Sequence, residues 1–378
     1  MNGGAGRSGG RGARPRGPGD GGGFRVGEGG GAGLRTTAVT RAVLVAGGTA
    51  TALLVALFGA GIAARGTGEL RIPAAGTTTA LRTVVFVALA LHLGELAGRR
   101  FAGAGPLPRG WSVAAAGAGA LASAGQIGLL ARVSALDLTS VYGTAEGRLL
   151  LVMANGFLLA AGCAATRRPW TAAVPLAVVV GAEALRAHPE AYTPLLGAAL
   201  TVVHLTAASL WTGGLLYVLR TLWLRRGDPA GAREVLHRYA RPAGRLFVAL
   251  AATGTLSTLR RLPADVVFTT AYGRVLIAKL LLVAVASALA LRAGARLRGA
   301  AWVRTATAGA GEAGAGAAGS AGVAIPGVGT GTAETRPDGT GVAGAARLAR
   351  AELVVLGMVV VVSAVLTVVP DPHWLSTR

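Results

Sequence analysis

Lys279 is the only lysine in the chain, and the other 36 of its 37 basic residues are arginine. It lies within an apolar run, residues 275–291, that is long enough for most of a membrane span. A cation at the centre of such a helix costs roughly 2.5–3.5 kcal/mol on insertion scales, so an intramembrane lysine marks a candidate functional site. Unlike arginine, a buried lysine can also lose its proton. The alternative is that the side chain extends to the interface and keeps its ammonium group in water.

His204 is a second candidate, because it lies on a helical face of small residues. That face also contains Gly197, Thr201, Ala208 and Trp211, spaced at intervals of three or four. Small residues allow membrane helices to approach closely, so we expect this face to point into a bundle. An imidazole there could bind a metal ion or relay protons. The alternative is a hydrogen-bonded packing residue.

His188 and Glu183 lie close together at the end of another apolar run. Glu183 precedes His188 by a little over one helical turn, and Glu190 follows it by two residues. Imidazole and carboxylate ligands together suit a borderline divalent metal ion such as Cu(II). The alternative is a polar interfacial segment in which Glu183 pairs with Arg186 at i+3.

These groups fall at graded depths when the helical rise is counted from the predicted outer membrane surface. At ~1.5 Å per residue, Glu183 lies ~6 Å, Lys279 ~9 Å and His204 ~14 Å below that surface. His188 is then at the surface itself. The gradation predicts an entry path for an ion.

His92 and Glu95 share one face in the inner half of an earlier apolar run. If they are functional, they mark the inner exit of the same path. The alternative is a local ion pair between Glu95 and Arg99, which are spaced at i and i+4.

Nine long apolar runs with few charges predict an all-α, polytopic membrane bundle. Hydrophobic residues make up 52% of the chain and its mean hydropathy is +0.57, which is too apolar for a soluble domain. The predicted spans are residues 39–64, 79–98, 111–132, 148–166, 170–187, 195–219, 244–262, 273–292 and 351–369. Residues 39–187 therefore hold five helices, and residues 188–378 hold four.

Two segments of low complexity accompany these spans. Residues 1–38 form a Gly/Arg-rich tail that is predicted to be disordered, and residues 305–346 form an Ala/Gly/Thr-rich loop. The first apolar run begins too far from the N-terminus, and is too long, for a cleaved signal peptide.

The net charge of +21 is distributed unevenly between the predicted loops. Arginines concentrate on the side of the membrane that holds the N-terminus, which predicts a cytoplasmic N-terminus and, after nine spans, an extracytoplasmic C-terminus. The charge therefore indicates contact with anionic membrane lipid and not with nucleic acid. The sequence has no nucleophile–base arrangement, phosphate-binding glycine loop or HExxH motif, which disfavours an enzyme. The single cysteine, Cys163, excludes an intrachain disulfide.

Four segments in the C-terminal half resemble the CopD family of copper-resistance membrane proteins. The segments are residues 204–219 (His-x(6)-Trp-x-Gly-Gly), residues 238–262 (R-[FY]-[SA]-R followed by a Thr-Gly pair), residues 268–282 (T-x-YGR-x-L-x-x-K-L, with Tyr272 and Lys279), and the last apolar run (R-x-E, with Arg350 and Glu352). They span residues 186–372 apart from the low-complexity loop. The N-terminal half matches the family only in being a hydrophobic bundle.

The resemblance implies copper uptake across the plasma membrane and a role in copper resistance, with an extracytoplasmic copper-binding protein of the CopC type as partner. On this interpretation His188 and Glu183 capture copper, and His204 binds it transiently near the midplane. The remaining residues of the path are Trp211, Tyr272 and Lys279. Only three methionines occur, which leaves imidazole and carboxylate ligands and favours Cu(II).

Two other functions stay open at this point. One is a membrane electron carrier in which His92 and His204 are the axial ligands of a b-type haem. The other is a scaffold that assembles copper into another membrane complex.

Overall fold

A computed structural model describes residues 30–70, 72–103, 105–166, 168–187, 193–262, 266–317 and 339–370. All regular secondary structure in these residues is helical. The chain divides into two units, residues 1–47 and 48–378. The described part of the first unit is the beginning of the first helix, and the second unit contains the bundle.

Within the described ranges, ten α-helices and one 3₁₀ turn follow one another. They are α1 (Gly30–Ala63), α2 (Ala75–Ala102), α3 (Ser112–Ser134), α4 (Leu138–Gly143), α5 (Ala145–Ala165), the 3₁₀ turn Pro169–Ala172, α6 (Ala173–Ala187), α7 (Pro194–Leu224), α8 (Pro229–Arg261), α9 (Ala271–Ala317) and α10 (Gly339–Leu366).

Seven of the described helices are long and apolar enough to cross a membrane, which confirms the predicted all-α polytopic bundle. They are α1, α2, α3, α5, α7, α9 and α10. The other two predicted spans fall in α6, which has only 15 residues, and in α8, whose N-terminal half carries several arginines. The count of nine spans stays a prediction.

The two predicted low-complexity segments are partly helical. Helix α1 begins at Gly30, inside the range predicted to be a disordered tail. Helix α9 continues to Ala317 and α10 begins at Gly339, so both ends of the predicted loop at 305–346 are helical. Residues 1–29 and 318–338 lie outside the described residues.

Polar contacts define one end of the bundle, which we call the Arg82 end. Arg82, near the start of α2, donates a hydrogen bond from Nη1 to the carbonyl oxygen of Thr367, just after α10, at 2.8 Å. Arg82 is also within electrostatic range of Arg186, at the end of α6, and of Glu146, at the start of α5. The starts of α2 and α5 and the ends of α6 and α10 therefore share this end.

A second set of contacts defines the opposite end, which we call the Glu95 end. Near the end of α2, Glu95 accepts hydrogen bonds from the backbone nitrogens of Trp111 and Ser112, where α3 begins. Arg220, near the end of α7, stacks over the Trp111 ring at 3.6 Å. Helix α7 therefore ends where α3 begins.

Helices α6 and α8 run between these two ends. Helix α6 follows α5, which starts at the Arg82 end, and α6 returns to that end at Arg186. Helix α8 starts beside the end of α7, and its Arg260 side chain hydrogen-bonds Thr193, just before α7 begins. This antiparallel course supports the interpretation of both helices as membrane spans.

Helices α2 and α7 pack backbone against backbone. A Cβ atom added to Gly213 would lie 1.7 Å from the carbonyl oxygen of Ala90, and one added to Gly94 would lie 2.2 Å from the carbonyl carbon of Gly213. No side chain fits between the two backbones. Glycine is required at both positions, as is common where membrane helices pack through small residues.

A reporter inserted after Gly227, in the exposed turn between α7 and α8, distinguishes nine spans from seven. With a cytoplasmic N-terminus, nine spans place this turn in the cytoplasm, whereas omission of both α6 and α8 places it outside. We expect a cytoplasmic signal at Gly227. A reporter after Arg378 is extracytoplasmic under either count, so it controls for insertion of the whole bundle, and an external signal at Gly227 would remove α6 and α8 from the set of spans.

Candidate functional site

His204 lies in α7 and contacts α8. Its Nδ1 atom is 2.9 Å from the hydroxyl oxygen of Thr253, and that hydroxyl in turn donates to the carbonyl oxygen of Ala249 at 2.7 Å. Because the Thr253 proton is used in the second bond, Nδ1 of the neutral ring is the donor in the first, and Nε2 carries the lone pair. A histidine oriented by a hydrogen bond from its other ring nitrogen is the usual arrangement of a metal ligand.

Gly254 of α8 lies beside this ring. A Cβ atom added to Gly254 would lie 3.6 Å from Cε1 of His204, which is ordinary van der Waals contact. The imidazole is half-buried. The Thr-Gly pair of α8 therefore orients the ring through Thr253 and packs beside it through Gly254.

Trp211 lies two helical turns after His204 and is buried in a network of three helices. Its indole nitrogen donates to the Glu352 carboxylate of α10 at 3.1 Å, and its carbonyl oxygen accepts from the Tyr239 hydroxyl of α8 at 2.8 Å. The ring also meets Phe247 edge to face, with centroids 5.9 Å apart. Trp211 therefore joins α7, α8 and α10.

Lys279 and Tyr272 lie in the first part of α9. Tyr272 is buried against Val275, Leu276 and neighbouring apolar residues. Lys279 is half-buried, and among the described residues its ammonium group has no hydrogen bond or ion pair. The charge of Lys279 therefore lies on the apolar part of α9 without a polar partner among the described residues.

His92 is wholly buried in α2. Neither ring nitrogen has a hydrogen-bond partner within the described part of the chain. The ring lies one turn before Glu95 and on the same side of the helix as Leu89, which belongs to the core formed by α2, α3, α5 and α6. The structure therefore gives His92 a buried position next to an acidic group and no contact with His204.

Glu95 has a structural role that the sequence indicated only in part. Its carboxylate accepts hydrogen bonds from the backbone nitrogens of Trp111, at 2.6 Å, and Ser112, at 3.0 Å. It also forms the ion pair with Arg99 at 2.6 Å that the i, i+4 spacing suggested. A carboxylate at a helix N-terminus satisfies free N–H groups and interacts favourably with the helix dipole. Glu95 thus fixes the start of α3.

Glu183 is wholly buried near the end of α6 and forms an ion pair with Arg186 at 2.8 Å, as the alternative interpretation of that segment proposed. Arg186 also pairs with Glu146 at 3.3 Å. His188 lies outside the described residues. Within the described residues, no group of three or more histidine, cysteine, aspartate or glutamate side chains could hold a metal ion. The predicted pairing of Glu183 with His188 as copper ligands is therefore not tested by the structure.

Three groups of this region were not recognised as site residues in the sequence. Thr253 gave no signal beyond its place in a Thr-Gly pair. Glu352 was noted only at the start of the last apolar run. Arg82 gave no signal beyond its place near the start of the predicted span 79–98, and it is buried inside α2 with 6% of its surface exposed. Its guanidinium group donates a hydrogen bond to the carbonyl oxygen of Thr367 just after α10, and this contact accounts for a charge at a buried position.

The chain matches no family model, no curated protein and no solved structure.

Substitution of Glu95 by glutamine tests its role at the start of α3. We expect Glu95→Gln to lower the free energy of unfolding by about 2–4 kcal/mol. The substitution removes the negative charge that now interacts with Arg99 and with the two backbone N–H groups at the start of α3. Glu234→Gln is the matched control, since Glu234 also pairs with an arginine at i+4 at 2.6 Å but is 58% exposed. The control should cost about 0.5 kcal/mol or less. Equilibrium unfolding in mixed micelles measures both, and equal effects would contradict the capping role.

Proposed function

We propose that this chain is a copper transporter of the plasma membrane that takes up Cu(II), with His204 as the ligand inside the bundle. The observation that carries the proposal is that three of the four segments resembling the CopD family pack against one another. His204 and Trp211 belong to the first segment, Tyr239 and Thr253 to the second, and Glu352 to the last. Their mutual hydrogen bonds join residues 28 to 141 positions apart.

The chemistry of His204 supports a passing ion. Imidazole suits Cu(II), and the contact between Nδ1 and Thr253 fixes the orientation of the ring, as is usual for a metal-binding histidine. A single protein ligand holds an ion weakly, which a transport path requires. The rest of the coordination shell would come from water or from the donor group that delivers the metal.

The next acidic group along this face is Glu352, which contacts Trp211. Trp211 is two turns from His204, or ~10 Å along α7. We propose that the Glu352 carboxylate is the next ligand of the ion after His204. The Trp211 ring would then lie between these two ligands. Glu352 is thus added to the path predicted from the sequence.

Capture at the outer surface is assigned to His188, with Glu183, which forms an ion pair with Arg186, as a second group. An extracytoplasmic copper-binding protein of the CopC type would deliver the ion to this mouth. We keep His92 and Glu95 as the inner exit of the path. The imidazole of His92 would bind the ion there, because the Glu95 carboxylate already accepts hydrogen bonds from the backbone at the start of α3. With this orientation the N-terminus is cytoplasmic.

A haem carrier needs His92 and His204 to face each other across a cofactor. The described contacts do not favour this function, because His92 is wholly buried and its ring has no hydrogen bond within the described residues, while the His204 ring contacts Thr253 of α8. An absorption spectrum of the purified protein separates the two functions, since a Soret band would support haem. A copper-assembly scaffold would bind copper without raising its intracellular level.

His204→Ala is expected to abolish copper-dependent accumulation at matched protein levels, because it removes the only imidazole on the small-residue face of α7. The matched control is His237→Ala, which removes an exposed histidine of α8. Intracellular copper is measured in cells with and without the chain. Unchanged uptake in His204→Ala would make this residue a packing residue and withdraw the proposed path.

Lys279→Arg and Lys279→Met separate a titrating lysine from one that only extends to the interface. The guanidinium group cannot lose its proton in a protein, so Lys279→Arg should be inactive if transport requires a neutral side chain. Lys279→Met should fold and transport without dependence on pH. Uptake measured between about pH 6 and 8 spans the range over which a buried amine can change charge. Full activity of Lys279→Arg would assign the residue to the interface.

A further inference from the structure

Three arginines surround the connection between α2 and α3 at the Glu95 end. Arg220 donates a hydrogen bond to the carbonyl oxygen of Arg109. A Cβ atom added to Gly103 would lie 2.5 Å from Nη1 of Arg238, and one added to Gly105 would lie 2.8 Å from Nη2 of Arg225. The connection therefore runs directly against guanidinium groups from α7 and α8.

The backbone conformation favours glycine at both positions. Gly103 has a φ of +61° and Gly105 a φ of +130°, a range in which side chains are strained. A methyl group at either position would also displace the neighbouring arginine. The connection is thus shaped so that Arg225 and Arg238 approach its backbone.

Arg225 differs from the other two arginines in having no acceptor. It is 8% exposed, and its Nε and Nη2 groups are buried without a hydrogen-bond partner among the described residues. Arg238 donates to Glu234 at 2.6 Å, and Arg220 to a carbonyl oxygen. No described carboxylate is within ion-pair distance of Arg225. A buried guanidinium group without an acceptor is costly, so an anion is expected beside it.

The surroundings of Arg225 are those of a membrane interface. It directly follows the candidate span that ends at Leu224. Trp111 and Trp223 are 43% and 55% exposed at the same end, and Arg226 lies over the Trp223 ring at 5.1 Å. Exposed tryptophans of this kind occupy the level of the lipid headgroups. The missing acceptor is therefore at the depth of lipid phosphates.

We propose that Arg225, with Arg238 and Arg220 beside it, binds the phosphate group of an anionic phospholipid at the α2–α3 connection. Two adjacent N–H groups of one guanidinium match two phosphate oxygens, and the cationic neighbours favour a lipid with net negative charge. The site adjoins Glu95 of the proposed inner exit, but its test measures lipid retention and does not depend on copper transport.

The test compares lipid retention by the full-length protein, the Arg225→Gln variant and the Arg226→Gln variant. Each is purified in phosphate-free buffer and neutral detergent and titrated with phosphatidylglycerol or phosphatidylcholine, and bound lipid is counted by native mass spectrometry. The wild type should retain phosphatidylglycerol in preference to phosphatidylcholine. Arg225→Gln should weaken that binding about tenfold, the effect of losing one charge-assisted pair, while Arg226→Gln leaves it unchanged.

Equal retention by Arg225→Gln and Arg226→Gln would overturn the proposal. Should Arg225→Gln fail to fold, Arg225→Lys replaces it, because lysine keeps the charge but lacks the paired donors, and its unchanged binding would overturn the proposal equally. Inorganic phosphate is added as a competitor in a further titration. Retention of phosphatidylglycerol in its presence supports the lipid, whereas displacement by phosphate at low concentration overturns the lipid assignment in favour of a free phosphate.

Discussion

The contact between the backbones of α2 and α7 is the constraint on which the bundle depends. Lipid tails are as apolar as the helices they surround, so close packing must supply the attraction that burial supplies in water. At Gly94 and Gly213 the two helices approach until no side chain fits between them. From this crossing α2 reaches α3 through Glu95 and α10 through Arg82. One helix thus fixes the positions of three others.

The polar groups of the bundle fall into two classes. Arg82 and Glu95 bind the ends of other helices, and Glu183 is neutralised by Arg186, so these charges stabilise the architecture. Lys279 and Arg225 have no partner among the described residues, so a stabilising contact does not account for their charges. Lys279 and Arg225 are therefore the charged groups that call for a partner beyond the described residues.

The sequence predicted local features well and distant contacts poorly. The all-α membrane bundle followed from apolar run lengths, and the Glu95–Arg99 and Glu183–Arg186 pairs followed from helical spacing. By contrast, the bond from Arg82 to Thr367 joins residues 285 positions apart, and the bond from Trp211 to Glu352 joins residues 141 apart. Periodicity along one helix contains no information about which helix lies opposite. The orientation of His204 by Thr253 was unpredictable for the same reason.

The bond between Arg82 and Thr367 has a consequence for how the protein is made. Arg82 is synthesised 285 residues before the residue whose carbonyl group accepts its hydrogen bond. Until α10 arrives, a nascent bundle carries a cation whose Nη1 lacks its final acceptor. The start of α2 therefore reaches its final set of contacts only after a helix synthesised much later has been inserted.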